Sequence, residues 1–260
     1  MLTRLVSPRY AALVLKALLQ GKLPRRVVVR EDDADNPALL ELTRREDLLT
    51  AAVFSRLAYL PSNVAWDILR RAAKPLEENG VALPRDAPPG APRWFFWPKL
   101  RPGADGGNTR HVEPDVLVSW GDTLLVCEAK HEGEQYAHQW VEQLRAVRAM
   151  PEHSGKPIWF LAVGGIVVRE RALQAAHVRR ELTNTARRML ALCWEDLHHA
   201  IDDCRPSCLA SEQSNMLNDI VAALYAWGYR KKTWFSSLCA GEPSFQSEKA
   251  LAVLQAWRVQ

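Results

Sequence analysis

The chain has 260 residues, of which 48% are hydrophobic and 25% are charged, and its formal net charge at pH 7 is +4. This composition predicts a globular protein of one domain, or one domain with an extension, that buries its core without disulfides. Five cysteines, an odd number, argue against a secreted disulfide framework, and no apolar run reaches the roughly 18 residues that cross a bilayer, so we expect a cytoplasmic protein without membrane contact.

Three parts follow one another along the chain. Residues 1–37 form a basic segment with a predicted helix, and residues 1–30 hold seven Lys or Arg and no acid. Such a segment is usually a solvated face, although it also suits contact with phosphates. Residues 38–204 are the predicted core domain, and residues 205–260 are a predicted helical extension.

Apolar periodicity and turn residues divide the core into alternating helices and strands. In chain order, the pattern predicts a helix over 44–60, a strand over 93–100, hairpin strands over 112–120 and 123–130, a helix over 134–150, a strand over 157–163, an Arg-rich helix over 168–188 and a short strand over 190–194. Helices interleaved with a few strands predict an α/β fold with a mixed central β-sheet covered on both faces.

The hairpin carries four charged residues at its open end. A two-residue Gly-Asp loop at 121–122 pairs positions whose numbers sum to 243, so Asp115 lies opposite Glu128 and Glu113 lies opposite Lys130. Because side chains alternate along a strand, all four project from one face, with opposed β-carbons roughly 5 Å apart. Two opposed carboxylates repel each other unless a positive charge lies between them.

Two interpretations of this charged end are open. Both faces of the hairpin are apolar further along, which indicates interior strands, and acidic residues at the end of such strands are costly without a purpose. A hard cation with oxygen ligands would satisfy both carboxylates. The alternative is a frayed, solvated end with Glu113 and Lys130 as a surface ion pair.

The spacing of these residues resembles a known signature. PD at 114–115, followed 13 residues later by EAK at 128–130, is similar to the motif of the PD-(D/E)XK nuclease superfamily, which has the restriction-endonuclease-like fold. The resemblance covers residues 40–165. It implies a core made of a helix, a three-stranded meander, a helix and a further strand, which is the predicted order.

The resemblance also implies a role for each matched residue. Asp115, Glu128 and the backbone carbonyl of Ala129 would bind Mg²⁺, for which Mn²⁺ would substitute. Lys130 would orient or deprotonate the attacking water, or stabilise charge on the phosphate. A phosphodiester is anionic and repels nucleophiles, so its hydrolysis needs such positive charge.

Glu46 in the first core helix is the candidate for an additional catalytic and metal-binding glutamate, which the superfamily often has. Its helical position falls in the apolar stripe of that helix, facing the core. The competing interpretation is a capping box, in which Glu46 reaches back to the helix start at Thr43.

Other candidate residues lie outside the motif. Gln143 falls in the stripe of Tyr136, Trp140 and Val147, where an amide could contact the site or a DNA phosphate, or bond to backbone in the core. Further nucleic-acid contacts are predicted on an Arg stripe of the 168–188 helix and in a basic run with aromatics: Arg169, Arg180, Arg187, Arg230, Lys231 and Lys232. For these basic residues, plain solvation is the alternative.

These features lead to the hypothesis of a Mg²⁺-dependent nuclease, most simply an endonuclease of double-stranded DNA. No Gly-rich phosphate loop is present in the sequence, so no ATPase motor is expected within this chain. The sequence also has no obvious sequence-reading module, so an ATPase or sensor protein is an expected partner, with homo-oligomers as a second option. By analogy alone, the effectors of bacterial anti-phage defence resemble this design. The rival hypothesis is a catalytically silent subunit that keeps the fold and acts as a DNA-binding or scaffold component.

Overall fold

A six-stranded mixed sheet organises the computed structural model, which describes residues 46–102, 111–182, 186–204 and 211–230. All of them belong to a compact unit that runs to Arg230. The helices are α1 (Glu46–Tyr59), α2 (Ser62–Ala72), α3 (Ala137–Arg148), α4 (Arg171–Glu181), α5 (Trp194–Cys204) and α6 (Ser211–Ala226). The strands are β1 (Lys74–Pro75), β2 (Arg93–Phe96), β3 (Val116–Trp120), β4 (Thr123–Ala129), β5 (Ile158–Val163) and β6 (Met189–Leu192).

The strand order is β1-β6-β5-β4-β3-β2. Strands β2, β3 and β4 form an antiparallel meander, whereas β4, β5 and β6 run parallel and β1 closes the other edge antiparallel to β6. The predicted α/β class with a mixed central sheet is therefore confirmed.

The register of the hairpin is the predicted one. Trp120 pairs with Thr123, and the ladder continues to Val116 opposite Cys127, so paired numbers sum to 243 throughout. Gly121 opens the turn with φ of +57°, a backbone angle that glycine adopts without strain. Asp115 and Glu128 follow one residue beyond the last pair.

Helices cover both faces of the sheet. On one face, α1, α2, α5 and α6 bury the residues of the hairpin that include Val116, Val118 and Leu125. On the other face, α3 and α4 cover Leu117 and Val126. Both faces of β3 and β4 are thus apolar and buried, as predicted for interior strands.

Helix α1 is buried all round rather than on one stripe. Ten consecutive residues, from Leu48 to Leu57, are buried. One side packs on the sheet, and α6 packs on another side, where Arg56 forms an ion pair with Asp219 at 3.3 Å. The predicted stripe of Leu49, Val53, Leu57 and Leu60 is buried in the core as expected.

Three predicted elements are wrong in extent. The hairpin strand predicted over 112–120 begins only at Val116. The strand predicted over 93–100 ends at Phe96, because Trp97 has φ of +47° and Pro98 has no N–H to donate to a ladder. The single helix predicted over 168–188 is also wrong. Helix α4 ends at Glu181, since Leu182 leaves the helical region, and short 3₁₀ turns at Val168–Glu170 and Ala186–Arg188 flank it.

Helix α2 and strand β1 are not among the predicted elements. The buried residues of α2 recur at helical spacing, so the signal was present: they are Ala65, Trp66, Ile68, Leu69 and Ala72. The predicted basic segment over 1–37 lies outside the described residues. No helix in the described part of the chain is long and apolar enough to cross a membrane.

Gly164, which follows β5, lies close to the Lys130 carbonyl at the end of the hairpin and to Trp194 of α5. Its φ is +64°, and a β-carbon there would overlap the Lys130 carbonyl oxygen and lie 2.6 Å from the Trp194 indole nitrogen. We predict that Gly164→Ala lowers the free energy of unfolding by more than the roughly 1 kcal/mol typical of a left-handed glycine alone. Gly90→Ala is the control, because Gly90 has φ of +85° and nothing within 4 Å of the added carbon. Equal losses in denaturant titrations of both variants would contradict this close approach.

Candidate active site

Asp115 lies at the start of β3 and is 7% exposed. Its Oδ2 accepts the backbone N–H of Ala129 at 2.7 Å, and its Oδ1 accepts the indole N–H of Trp97 at 3.0 Å. The backbone N–H of Trp97 also donates to the Asp115 carbonyl, at 2.9 Å. The Asp115 carboxylate is therefore fixed against β4. The backbone of Trp97 lies in the left-handed region, and its indole N–H and backbone N–H both point towards Asp115.

Glu128 is the most deeply buried carboxylate of the site, at 2% exposed. Its Oε1 accepts from Lys130 Nζ at 2.6 Å and from Gln139 Nε2 at 2.6 Å, and its Oε2 accepts from Gln143 Nε2 at 2.6 Å. Gln139 and Gln143 lie one turn apart on α3, so one face of that helix holds both oxygens.

Lys130 joins the hairpin to α1. Its Nζ donates to Glu128 and also to Glu46 Oε1, at 3.1 Å. The Lys130 side chain is 14% exposed, and that of Glu46 is 37% exposed. The frayed, solvated end is therefore wrong: the structure brings Asp115, Glu128, Lys130 and Glu46 together at a buried sheet end.

The electrostatics of the site are unfavourable for two carboxylates. Burial raises the pKa of Asp115 well above its ordinary value, and the charge of Glu128 raises it further. Burial also raises the pKa of Glu128, although Lys130 and Gln143 oppose the change. Burial lowers the pKa of Lys130, but Glu128 and Glu46 outweigh it, so the net pKa lies above the ordinary value and the ammonium stays charged.

A layer of buried groups supports the backbone of this site. The Gln135 amide donates to the carbonyls of Glu128 and Val163, at 2.9 and 3.2 Å. The Trp194 indole N–H donates to the Lys130 carbonyl at 2.9 Å. These bonds connect the end of β4 to β5 and to α5.

The end of α6 reaches the same place. The Tyr229 hydroxyl donates to the His131 carbonyl at 2.9 Å and lies 2.8 Å from His131 Nδ1. Since the single hydroxyl proton is used on the carbonyl, Nδ1 is the donor of the second bond. The His131 side chain is only 9% exposed.

The oxygen atoms available at the site are ligands that fit a hard divalent cation. Asp115, Glu128 and the Ala129 backbone offer oxygens, which Mg²⁺ prefers. The pKa of both carboxyls is raised by burial first and by neighbouring carboxylates second, and a cation would offset both effects. Within the described residues, no group of three or more His, Cys, Asp or Glu side chains is arranged to hold a metal ion. Glu46 is bonded to Lys130, so its place in a metal site stays a prediction.

The residues predicted to contact nucleic acid do not all lie at the site. Gln143 is 1% exposed and belongs to the site, whereas Tyr136, predicted in its stripe, is 60% exposed. Arg230 is exposed directly after Tyr229, close to His131, and Lys231 and Lys232 lie outside the described residues.

The predicted stripe of Arg169, Arg180 and Arg187 does not exist as one helix face, because only Arg180 of these three residues lies in α4. Arg169 and Arg187 belong to the flanking 3₁₀ turns. Arg187 precedes β6 and so lies towards the sheet end away from the carboxylates. Arg180 lies 3.7 Å from Glu181 and is 70% exposed.

Several residues of the site were missed in the sequence. Gln139 is one helical turn from Gln143, and this spacing could have identified it. The sequence around the other missed residues gives no sign of their role, because they contact residues that are distant in sequence. They are Trp97, whose backbone angle is also unusual, Gln135, Trp194 and Tyr229.

Comparisons with known proteins assign no family to the chain. No protein-family model matches the sequence, and no solved structure matches the chain. The chain is 26% identical over 210 residues to an uncharacterized protein of Pasteurella multocida (strain Pm70), with 74% of each chain covered. The chemistry of the site therefore rests on its own geometry.

Trp97→Phe tests the hydrogen bond from the Trp97 indole to the Asp115 carboxylate. The substitution removes the N–H donated to a buried carboxylate, and hydrogen bonds to charged groups contribute about 1.5–3 kcal/mol. Trp120→Phe is the matched control, because the Trp120 Nε1 is buried without a hydrogen-bond partner among the described residues. In urea titrations we expect Trp97→Phe to cost more than Trp120→Phe by about that amount. Equal losses would reduce the role of Trp97 to packing.

The raised pKa values of Asp115 and Glu128 predict how stability changes with pH when EDTA removes divalent cations. A carboxyl whose pKa is higher in the folded chain stabilises the fold below its ordinary pKa and loses this contribution as pH rises through the raised value. Each unit of difference corresponds to about 1.4 kcal/mol. The raised pKa of Lys130 has no effect here, since this group stays protonated in both states below its ordinary pKa of about 10.4.

We therefore expect the melting temperature of the parent to fall more steeply than that of Asp115→Asn as the pH rises above about 4, the ordinary pKa of an aspartyl carboxyl. Asp122→Asn, which removes an exposed carboxyl from the turn of the same hairpin, is the control and should behave as the parent. Identical slopes for the parent and Asp115→Asn would contradict an unfavourably buried Asp115.

Proposed function

We propose that the chain is a metal-dependent nuclease that hydrolyses phosphodiester bonds, with double-stranded DNA as its substrate. One observation carries the proposal: two buried carboxylates lie at the same end of two adjacent antiparallel strands, Asp115 just before β3 and Glu128 near the end of β4. A charged lysine contacts one of them. A purely structural sheet end has no need of this combination, because each buried charge costs free energy.

The order of elements supports the proposal. Helix α1, the meander β2-β3-β4, helix α3 and strand β5 follow one another as the PD-(D/E)XK resemblance implies. The additional elements α2 and β1 are inserted between α1 and the meander. On this order of elements we propose a restriction-endonuclease-like core.

Lys130 would act as a cation. Its raised pKa keeps the ammonium protonated at neutral pH, so it can donate to a phosphate oxygen but cannot remove a proton from water. Of the roles that the resemblance implies, orientation of water and stabilisation of charge on the phosphate fit this state. Glu128 and Glu46 hold the ammonium at the mouth of the site.

Asp115, Glu128 and the Ala129 carbonyl would hold Mg²⁺, with Glu46 as the further candidate. When bound, the ion would lower the pKa of a coordinated water and offset the charge of the phosphate. Gln139 and Gln143 keep Glu128 oriented through its two oxygens. The Ala129 N–H and Trp97 do the same for Asp115.

The substrate would approach past the end of α6. Tyr229 is fixed to His131, next to Lys130, so the exposed Arg230 lies near the site and would contact a phosphate. An ATPase or sensor partner, a homo-oligomer and a role as an anti-phage effector are proposed on the grounds given by the sequence and are not needed for the chemistry.

Cleavage and metal binding separate the roles of the three motif residues. Asp115→Asn and Glu128→Gln each remove a ligand charge, so Mg²⁺ affinity and cleavage should fall together. Lys130→Ala leaves both carboxylates, so the ion should still bind while cleavage slows by on the order of a hundredfold or more. The measurements are calorimetric titration with Mg²⁺ or Mn²⁺ and single-turnover cleavage of supercoiled plasmid, with and without EDTA.

Lys74→Ala, which removes an exposed lysine at the sheet edge, is the matched control and should cleave as the parent. Lys130→Ala cleaving at the parental rate would refute the site. A parent that binds DNA and cuts neither plasmid, linear duplex nor RNA, even with its natural partner, would favour the silent subunit.

A further inference from the structure

A second concave site lies at the other end of the sheet. A cavity of about 470 Å³ is lined by residues at the end of α3, in the loop before β5 and at the start of β6. Its floor includes Pro157 and Ile158, where β5 begins. The carboxylates lie where β4 ends, and β4 and β5 are parallel. Five residue steps along β5 separate the two ends by roughly 17 Å.

The charged side chains that line this basic cavity, Arg148, Lys156 and Arg188, all have the same sign. Arg148, Lys156 and Arg188 contribute three cationic side chains, and the described lining residues include no Asp or Glu. The Arg188 guanidinium lies over the Trp159 ring, 5.9 Å from its centre, and Lys156 Nζ donates to the Gly121 carbonyl at 3.3 Å. These contacts hold two of the cations in place at the cavity. Such a concentration of positive charge in a concave surface attracts anions.

His153 adds an unsatisfied polar atom to the same wall. The residue is 8% exposed, and its Nδ1 is buried without a hydrogen-bond partner among the described residues. A buried polar atom without a partner is unfavourable. Because this nitrogen has no accessible surface, it does not contact the cavity, and the attraction for an anion comes from the three cations.

We propose that the basic cavity binds a small phosphate-bearing ligand of mononucleotide size. Its volume falls within the roughly 300–1,000 Å³ of small-molecule pockets. Arg188 and Arg148 would bind phosphate oxygens through paired N–H groups, Lys156 would supply a point charge, and Pro157 with Ile158 would contact the apolar part of the ligand. The proposal does not depend on the nuclease activity, because the two sites share no residue.

Calorimetric titration with inorganic phosphate, AMP and ATP tests this site in the full chain, with sodium chloride of equal ionic strength as the blank. The parent should bind at least one of these compounds, and Lys156→Gln with Arg188→Gln should weaken binding at least tenfold. The matched control, Lys74→Gln with Arg85→Gln, removes the same charge from exposed residues outside the cavity and should bind as the parent. Lys130→Ala should also bind normally, which separates this site from the carboxylates.

A second variant guards against misfolding of the double variant. Lys156→Ala removes a half-buried side chain with one weak backbone contact, and it should weaken binding at least threefold without changing the melting temperature in chloride. No binding to the parent beyond the chloride blank would overturn the proposal. So would equal weakening in both double variants, or binding of a short DNA duplex through Lys156 and Arg188 while phosphate, AMP and ATP fail to bind.

Discussion

The burial of the Glu128 carboxylate is the constraint on which the rest of the site depends. A carboxylate that is 2% exposed has lost its hydration, and the protein replaces water with three donors at 2.6 Å. Two of these donors come from α3 and one from Lys130, which is bonded in turn to Glu46 of α1. One side chain thus fixes helices on opposite faces of the sheet relative to each other.

The same arrangement is unfavourable for stability. Asp115 lies beside Glu128 in a buried position, and each carboxyl has a pKa above its ordinary value. Trp97, which donates to Asp115, has a left-handed backbone angle that is strained for a large side chain. Strain and like charges that persist in a buried place are typical of functional sites, where stability is sacrificed for chemistry.

Local rules were sufficient for the hairpin. A two-residue turn fixes the register, so the pairs from Trp120 with Thr123 to Val116 with Cys127 followed from residue numbers alone, and Asp115 and Glu128 come directly after the last pair. The same rules failed where a neighbour distant in sequence decides the outcome. Helix α1 is buried all round because α6 packs on it, and Trp194 and Tyr229 reach the site from 64 and 98 residues away. The 168–188 helix failed for a different reason: its periodicity continues through Leu182, where the backbone leaves the helix.

The two ends of the sheet have opposite chemistry, and α3 connects them. The helix presents Gln139 and Gln143 to the acidic end and finishes with Arg148 at the basic cavity, a length of roughly 18 Å for its 12 residues. Because α3 packs along the interior strands β4 and β5, neither end can move far without breaking the core. The carboxylates and the cavity lie at opposite ends of the parallel strands and share no residue. The geometry therefore suits two separate ligands, and a small molecule in the cavity would leave the carboxylate end open to its own substrate.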